Sequence, residues 1–140
     1  MTDDMEDLNQ TYPGAGNFTF GDTPKLCADL LALVRAGTKT ATCERLSAFD
    51  GDPAARPKVG RCDIAMNWDG TPALVICTTR VDEVAFKDVT EEMALAEGEN
   101  DDLAGWRRDH EAYFTRNGGF DENMMLLFEH FELVEDLADR

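Results

Sequence analysis

The segment 61-RCDIAMNWDGTPALVICTTRVDEV-84 decides the fold of this chain. Two runs within it, Arg61 to Trp68 and Ala73 to Val84, are separated by Asp69-Gly70, a dipeptide typical of a tight β-hairpin turn. The second run is rich in β-branched residues, which pack well on a pleated sheet. The segment therefore predicts two antiparallel strands joined by a short turn.

Upstream of the hairpin, the spacing of the apolar residues predicts a helix from Pro24 to Ala36. Thr23 or Asp22 can cap its start, proline fits its first turn, and Gly37 stands where a left-handed residue ends a helix. The residues that recur at helical spacing are Leu26, Leu30, Leu33 and Val34. The threonine-rich stretch that follows this helix is predicted to be extended, and a loop with glycine and proline leads from it to the hairpin.

Downstream of the hairpin, Thr90-Glu-Glu-Met93 begins a short helix that stops near Gly98, and a longer helix runs from Asp102 to Arg116. Met124 to Val134 is predicted to be a final strand. Alternation leaves open which side of this strand faces the core, because two sets fit. These sets are Met125, Leu127, Glu129 and Phe131, or Leu126, Phe128, His130 and Glu132. The order of elements predicts an α+β domain whose sheet can roll into a small barrel.

The chain has the size and composition of one folded domain. Its 140 residues, 43% of them hydrophobic, fit a single core. Residues 1–17 are acidic and contain Pro and Gly, so we expect a flexible tail there and a folded domain over residues 18–140. No stretch approaches the ~20 apolar residues that a membrane span needs, and the acidic start lacks the features of a secretory signal. We therefore expect no membrane association and a cytoplasmic location.

The four cysteines show no metal-binding or disulfide pattern. They are Cys27, Cys43, Cys62 and Cys77. None lies in a Cys-x-x-Cys pair and no histidine is near at metal-finger spacing, so a structural zinc site is not expected. In a reducing compartment the sequence favours four small, mostly buried thiols.

The charge balance restricts the class of ligand. The net charge is −16, and lysine is scarce. Proteins that hold long nucleic acids neutralise many phosphates with Lys and Arg, so long duplex DNA is not an expected partner. A small ligand without phosphates, such as a nucleoside, meets less repulsion from so acidic a chain.

The segment Gly37-Thr38-Lys39-Thr40-Ala41-Thr42 is the first candidate for chemistry. A lysine just past a helix end is usually a solvated charge that complements the helix dipole. If Lys39 lay in a cleft, desolvation would lower its pKa and make it a usable base, with Thr42 as a hydroxyl nucleophile. Lys39 and Thr42 would point to opposite faces of a regular strand, so the chain must turn between them for both to act.

The acidic segment from Glu97 to Asp102 is the second candidate. Most such runs cap helices in solvent, and Asp101 or Asp102 can cap the helix that follows. One carboxylate could instead be a general acid or base, or the group could bind a hard metal ion. The spacing does not fit a calcium hand.

Two further groups could line a pocket. On the long helix, Trp106 and His110 share one face, which favours a core tryptophan beside a half-buried histidine. A functional interpretation has Trp106 or Tyr113 stacking on a nucleobase and Arg107 reaching a polar edge or phosphate. On the last strand, Glu129 and His130 could line a pocket or face water.

Several segments together resemble bacterial ASCH-domain proteins. No single segment decides the resemblance, but their order and spacing are specific. The matching segments are Phe20-Gly-Asp22, Ala28 to Val34, Gly37 to Thr42, Phe86-x-x-Val89, Ala96-Glu-Gly-Glu99, Trp106-Arg-x-x-His110, Tyr113-Phe114 and Phe128-Glu-x-Phe131. The resemblance implies a β-barrel related to the PUA fold, flanked by helices, and a cleft that faces Lys39. It also implies RNA binding or RNA processing.

One branch of this family, the N4-acetylcytidine amidohydrolases, hydrolyses the acetyl amide of the modified nucleoside. That branch uses a Lys-x-x-Thr pair, matched here by Lys39 and Thr42, and a Glu in an Ala-Glu-x-Glu-Asn segment, matched by Glu99. The resemblance therefore implies an amidohydrolase with these three catalytic residues. The chain departs from the compact amidohydrolases in its greater length and in an extra helix that carries the block from Trp106 to Phe114.

The sequence leaves alternative functions open. Expected substrate-binding residues are Trp106, Arg107, His110, Tyr113, Glu97 and Arg45. The alternative to hydrolysis is an RNA-binding protein or ribonuclease that acts on single-stranded RNA. It would gather Arg45, Lys58, Arg107 and Arg108 around the cleft and hold Mg²⁺ or Mn²⁺ with Glu97, Glu99 and Asp101. A third alternative is a ligand-binding domain without catalysis. The amidohydrolase itself requires no cofactor and no metal.

Overall fold

The computed structural model of the chain describes Leu8 and residues 10–139. The helices and strands form an α+β domain, which confirms the predicted fold class. In chain order they are β1 (Asn17–Phe18), α1 (Pro24–Arg35), β2 (Ala41–Arg45), β3 (Cys62–Met66), β4 (Pro72–Ala85), α2 (Glu91–Ala96), α3 (Leu103–Arg116) and β5 (Met125–Asp136). Two short 3₁₀ turns, Leu46–Phe49 and Pro53–Ala55, lie in the predicted loop.

The predicted hairpin is present. β3 pairs antiparallel with β4, and the turn is closed by the Asn67 N–H, which donates to the Thr71 carbonyl at 2.7 Å. Gly70 has a φ of +88°, a conformation that glycine adopts without strain. Thr23 caps α1 as predicted, since its hydroxyl oxygen accepts the Leu26 N–H at 3.1 Å.

The sheet is open, so the predicted closed barrel is wrong. The five strands follow the order β1-β3-β4-β5-β2, and only the β1–β3 pair is parallel. In the part of the chain that the structure describes, the two edge strands β1 and β2 do not pair with each other. β1 has only two residues, and bulges at Val75/Ile76 and Thr78/Arg80 bend the long β4–β5 ladder without closing it. The sheet is therefore an open half-barrel.

Both faces of β5 are buried, which resolves the ambiguity left by its alternation. Leu126 and Phe128 pack with Trp106 and Phe114 of α3 on one side of the sheet. On the other side, Phe131 packs in the cluster formed by α1, β3 and β4. Each candidate set therefore contributes buried residues, while Met125 of one set and Glu132 of the other are exposed, and neither set alone is the core face.

The beginning of the described chain packs on the sheet. Leu8 is completely buried against Ile64 and Val75, and the Tyr12 hydroxyl donates to Glu135 at 2.8 Å. Residues 1–7 and Asn9 lie outside the described residues, so the boundary of the expected tail stays a prediction. Among the described helices, none has both the length and the apolar character that crossing a bilayer requires.

The cysteines differ from the expectation of four thiols. Cys62 and Cys77 are directly opposite each other in the β3–β4 ladder and form a disulfide, whereas Cys27 and Cys43 carry free thiols. Their spacing along the chain, 15 residues, gives no hint of this pairing. The hairpin register is what brings the two side chains together.

We expect reduction of this disulfide to weaken the fold. A cross-link that closes a loop of 15 residues stabilises a domain by about 3 kcal/mol through the unfolded state. Urea unfolding of protein stored without reductant should show a loss of that order when reductant is added. The double variant Cys62→Ser/Cys77→Ser is the control and should not respond to reductant. Labelling of all four cysteines in the denatured, unreduced protein would contradict the assignment.

Candidate active site

The open side of the half-barrel forms a cleft of about 610 Å³. Residues of both edge strands line it, including Phe18 of β1 and Thr42 of β2, together with one side of β5 and one side of α3. A closed barrel of this size would fill its interior with side chains. The gap between the edge strands therefore provides the space for a ligand.

Lys39 lies at the wall of this cleft with its charge buried. Its side chain is 1% exposed, and Nζ donates to Glu99 Oε2 at 2.8 Å and to Glu97 Oε1 at 3.3 Å. The helix end determines this placement. Gly37 turns the chain at a φ of +78°, and the Lys39 N–H then donates back to the Leu33 carbonyl of α1 at 3.1 Å.

Gly98 allows the acidic loop to reach Lys39. A Cβ at this position would lie 2.4 Å from the Thr38 carbonyl oxygen, so only glycine permits this approach. The Thr40 N–H also donates to the Ala96 carbonyl at 2.8 Å, which ties the start of β2 to the end of α2. The glycine within the acidic run is therefore what positions Glu97 and Glu99 at the lysine.

The Glu97 carboxylate is buried and fully partnered. Besides Lys39 at Oε1, its Oε2 accepts the indole N–H of Trp106 at 2.5 Å and lies 3.5 Å from the Cys43 Sγ and 3.4 Å from the His110 Nε2. Burial alone would raise the pKa of Glu97, but Lys39, His110 and Trp106 lower it to about 2. Glu97 is therefore a permanent anion.

Lys39 is not the neutral base that desolvation alone would make. Burial favours a lower pKa, but the charges of Glu97 and Glu99 raise the pKa of Lys39 above its ordinary value. The expectation of a lowered pKa is wrong because the lysine is buried together with two carboxylates. At neutral pH the site therefore presents an ammonium group.

His110 completes the charge network. Its Nδ1 lies 2.9 Å from the Trp106 carbonyl oxygen, an acceptor only, so Nδ1 carries a proton. Its Nε2 faces the Glu97 carboxylate, so a second proton there satisfies both contacts. Burial would lower the pKa of His110, but the hydrogen bond and charge of Glu97 raise it.

Thr42 faces the cleft, on the same side of the sheet as Glu129. The two residues are directly opposite in the β2–β5 ladder, and both line the cleft. Lys39 lies before the first residue of β2, so the turn that the sequence required brings it to the same cleft. Among the described side chains, the Lys39 ammonium donates to the carboxylates of Glu97 and Glu99 and not to the Thr42 hydroxyl.

The other predicted site residues divide between the cleft and the scaffold. His110 and Tyr113 line the cleft. Trp106 is completely buried and stacks on Phe86 and His110, so it cannot stack on a base. Arg107 donates to the Lys87 carbonyl at 3.2 Å, outside the cleft.

Arg45 also lies outside the cleft. It donates to the Asn117 and Gly119 carbonyls at 2.9 and 2.8 Å, beyond the end of α3, and its guanidinium stacks over the Phe114 ring. It is part of the scaffold and not of the ligand site.

Sequence reasoning missed several residues that line the cleft. They include Phe20, Cys43, Arg61, Asp63 and Arg116. Glu129, for which the sequence left a pocket or water open, also lines the cleft. Glu129 accepts the Thr78 hydroxyl at 2.6 Å. Its place on the cleft side would follow from the pairing of β5 with β2, which alternation alone does not reveal.

Among the described residues, the donors that could hold a metal are Cys43, Glu97 and His110, whose ligand atoms lie within 4.8 Å of one another. A thiolate, imidazole and carboxylate set suits Zn²⁺ rather than Mg²⁺. Burial and the charge of Glu97 hold the pKa of the Cys43 thiol well above its usual range, and the Lys39 ammonium already neutralises the carboxylate. The hard-metal set expected for a ribonuclease is not assembled, because Asp101 is exposed and does not line the cleft.

The comparisons with known proteins agree on one family. The family model described as ASCH domain matches residues 16–135. The chain belongs to the ASCH family. This ASCH domain has a PUA-like fold, which is associated with RNA and nucleic-acid binding. A search of the curated proteins finds no significant match.

The solved structures that are similar to it include two that are 28% identical. The ASCH domain from Lactobacillus crispatus JV V101 is 28% identical, with a TM-score of 0.79 over 91% of this chain and 84% of the other. The protein EF3133 from Enterococcus faecalis V583, described under the family name DUF984, is also 28% identical, with a TM-score of 0.81 over 96% and 87% of the two chains.

The role of Trp106 as a partner of Glu97 can be tested by removing only its N–H. Trp106→Phe leaves a buried carboxylate oxygen short of a donor, so we expect a loss of about 3 kcal/mol in the free energy of unfolding. Trp68→Phe is the matched control, because Trp68 is 49% exposed and should change stability by less than about 0.5 kcal/mol. Equal urea midpoints for the two variants would contradict the role.

The charged state of His110 predicts a specific pH dependence. Since its folded pKa is raised, its contribution to stability is fully present below its unfolded pKa of about 6.5 and is lost as the pH rises through the folded value. The stability difference between wild type and His110→Gln should therefore be largest near about pH 6 and shrink toward about pH 9. A difference that grows as the pH rises would show that His110 is neutral in the folded state.

Proposed function

We propose that this ASCH domain hydrolyses the acyl amide of a modified nucleoside such as N4-acetylcytidine. One observation carries the proposal: a buried Lys39 ammonium is bonded to Glu99 at the wall of a cleft that the Thr42 hydroxyl also lines. A nucleophile, a cation and a carboxylate at one cavity are the groups that acyl transfer needs.

Each of the three residues has a separate role. The Thr42 oxygen attacks the acetyl carbonyl carbon and forms a C–O bond. The Lys39 ammonium stabilises the negative charge that develops on the carbonyl oxygen. Glu99 passes a proton from Lys39 to the nucleobase nitrogen as the C–N bond breaks. Water then hydrolyses the acyl-threonine ester, which regenerates the Thr42 hydroxyl and releases acetate.

The charge of the cleft favours a nucleoside over a nucleotide. Among the described lining residues, carboxylates outnumber cations. The carboxylates are Glu44, Asp52, Asp63, Glu97, Glu99, Asp109 and Glu129, and the cations are Lys39, Arg61, Arg116 and the protonated His110. This negative field repels phosphate. The volume of about 610 Å³ fits a small ligand, and Tyr113 offers an aromatic face at its wall.

An RNA-directed role is the second candidate, because PUA-like domains are associated with nucleic-acid binding. The exposed pair Arg107 and Arg108 would then contact phosphates outside the cleft. A bound RNA would reach the cleft only with its bases, since the carboxylates oppose its backbone. Binding of this kind should weaken steeply with salt.

We expect purified protein to release cytidine from N4-acetylcytidine, with or without a chelator. Lys39→Ala should lower kcat/KM at least about 100-fold, because the charge that stabilises the transition state is lost. Lys25→Ala, at an exposed lysine, is the control and should keep full activity.

Lys39→Ala also leaves the carboxylates of Glu97 and Glu99 without their ammonium partner, which destabilises the fold. A second variant therefore separates a loss of catalysis from a loss of folding. Thr42→Val keeps the side-chain shape and removes only the nucleophile. Thr79→Val, at an exposed residue of β4, is its matched control. Full activity of Thr42→Val would reject the mechanism. Absence of cytidine release by the wild type would reject the substrate, and a cleavage assay on single-stranded RNA with Mg²⁺ or Mn²⁺ would then decide the second candidate.

A further inference from the structure

The proposed mechanism leaves the Thr42 proton without an acceptor. A hydroxyl attacks a carbonyl only as its proton is removed by a base within hydrogen-bond reach. Lys39 carries its full complement of protons, and its ammonium is directed to Glu97 and Glu99. The base must therefore come from another side chain that faces Thr42 across the cleft.

The sheet places one carboxylate beside Thr42. Thr42 of β2 and Glu129 of β5 are register partners, so their side chains emerge on the same face. Directly opposed residues of antiparallel strands have Cβ atoms about 4.5–5.5 Å apart. The Thr42 and Glu129 side chains are therefore neighbours on the cleft wall, although the hydrogen bond that the structure shows for the Glu129 carboxylate comes from Thr78. Both residues line the cleft.

Glu129 is also held in position. The hydroxyl of Thr78, a buried residue of β4, donates to Glu129 Oε2 at 2.6 Å. The charged groups that act on it are Asp63 and Arg61 of the neighbouring β3 region. Burial and the charge of Asp63 raise the pKa of Glu129, while the bond from Thr78 and the charge of Arg61 oppose this shift. A carboxylate with a raised pKa is a stronger base than a solvated one.

We infer that Glu129 is the general base that takes the proton of the Thr42 hydroxyl, an inference that rests on the proposed acyl transfer. In the attack, the Thr42 O–H bond breaks and its proton goes to Glu129. The new C–O bond forms, and the carbonyl electron pair moves to the oxygen that Lys39 stabilises. Each proton returns during deacylation, when attacking water gives a proton to Lys39 through Glu99 and the departing Thr42 oxygen takes the proton from Glu129.

The inferred coupling between the two residues can be tested without any substrate. The ¹³C NMR signal of the Glu129 carboxyl carbon is followed through a pH titration. It is assigned as the signal that disappears in Glu129→Gln. If Glu129 takes the Thr42 proton, Thr42→Val removes that donor and should raise the pKa of Glu129 by about one unit, whereas Thr79→Val should leave it unchanged. The same pKa in wild type and Thr42→Val would overturn the inference.

The chemical role is tested with p-nitrophenyl acetate, an activated ester that can acetylate Thr42 without a nucleoside. Acetylation is read by mass spectrometry of the peptide that contains Thr42. Glu129→Gln should slow it at least about 100-fold, and Glu129→Asp should restore part of the rate. Glu132→Gln, at an exposed position of the same strand, is the control. Acetylation of Thr42 at the wild-type rate in Glu129→Gln would also overturn the inference.

The two proposals fail in different ways. Glu129-dependent acetylation of Thr42, with no release of cytidine from N4-acetylcytidine, would support Glu129 as the base and reject the nucleoside substrate. Cytidine release that survives Glu129→Gln unchanged would support the amidohydrolase and reject Glu129.

Discussion

The burial of one ammonium group between two carboxylates is the constraint on which the rest of the site depends. A charge removed from water is destabilising by several kcal/mol unless it is paired and hydrogen-bonded. Lys39 meets that condition only if the acidic loop after α2 closes on the end of α1. Along the chain, Lys39 lies 58 positions from Glu97 and 60 from Glu99, so the ion pairs link two segments that are distant in sequence.

The same constraint explains why a tryptophan and a histidine stand behind the site. Once Glu97 is buried, its second oxygen needs donors, and α3 supplies two from one face in Trp106 and His110. The indole and imidazole rings stack on each other with centroids 4.2 Å apart, so the helix is held at the carboxylate by both packing and hydrogen bonds. Trp106 therefore determines where His110 lies in the cleft, although it does not touch the cleft itself.

Local rules predicted the elements, and long-range pairing determined the site. Caps and periodicity were sufficient for the helix that begins after Thr23 and for the hairpin turn at Gly70, because both depend on residues close in sequence. They could not predict that Cys62 faces Cys77, or that Glu129 faces Thr42, because strand register is set by the whole sheet. The sheet also stays open rather than closing into a barrel, and whether its edge strands pair is likewise a long-range property that local patterns do not reveal.

The two glutamates at Lys39 are chemically different although they lie two residues apart. The side chain of Glu97 is 2% exposed and its oxygens are occupied by donors from three elements, so it cannot exchange a proton without disrupting the fold. The side chain of Glu99 is 22% exposed and borders the cleft, where it can meet a ligand while it still contacts the ammonium. Gly98, between them, accounts for this difference in exposure, because without a side chain it lets the backbone pass close to the Thr38 carbonyl. One carboxylate therefore stabilises the buried lysine permanently, and the other remains available for proton transfer. A cation held by the first can then act on a substrate together with the second.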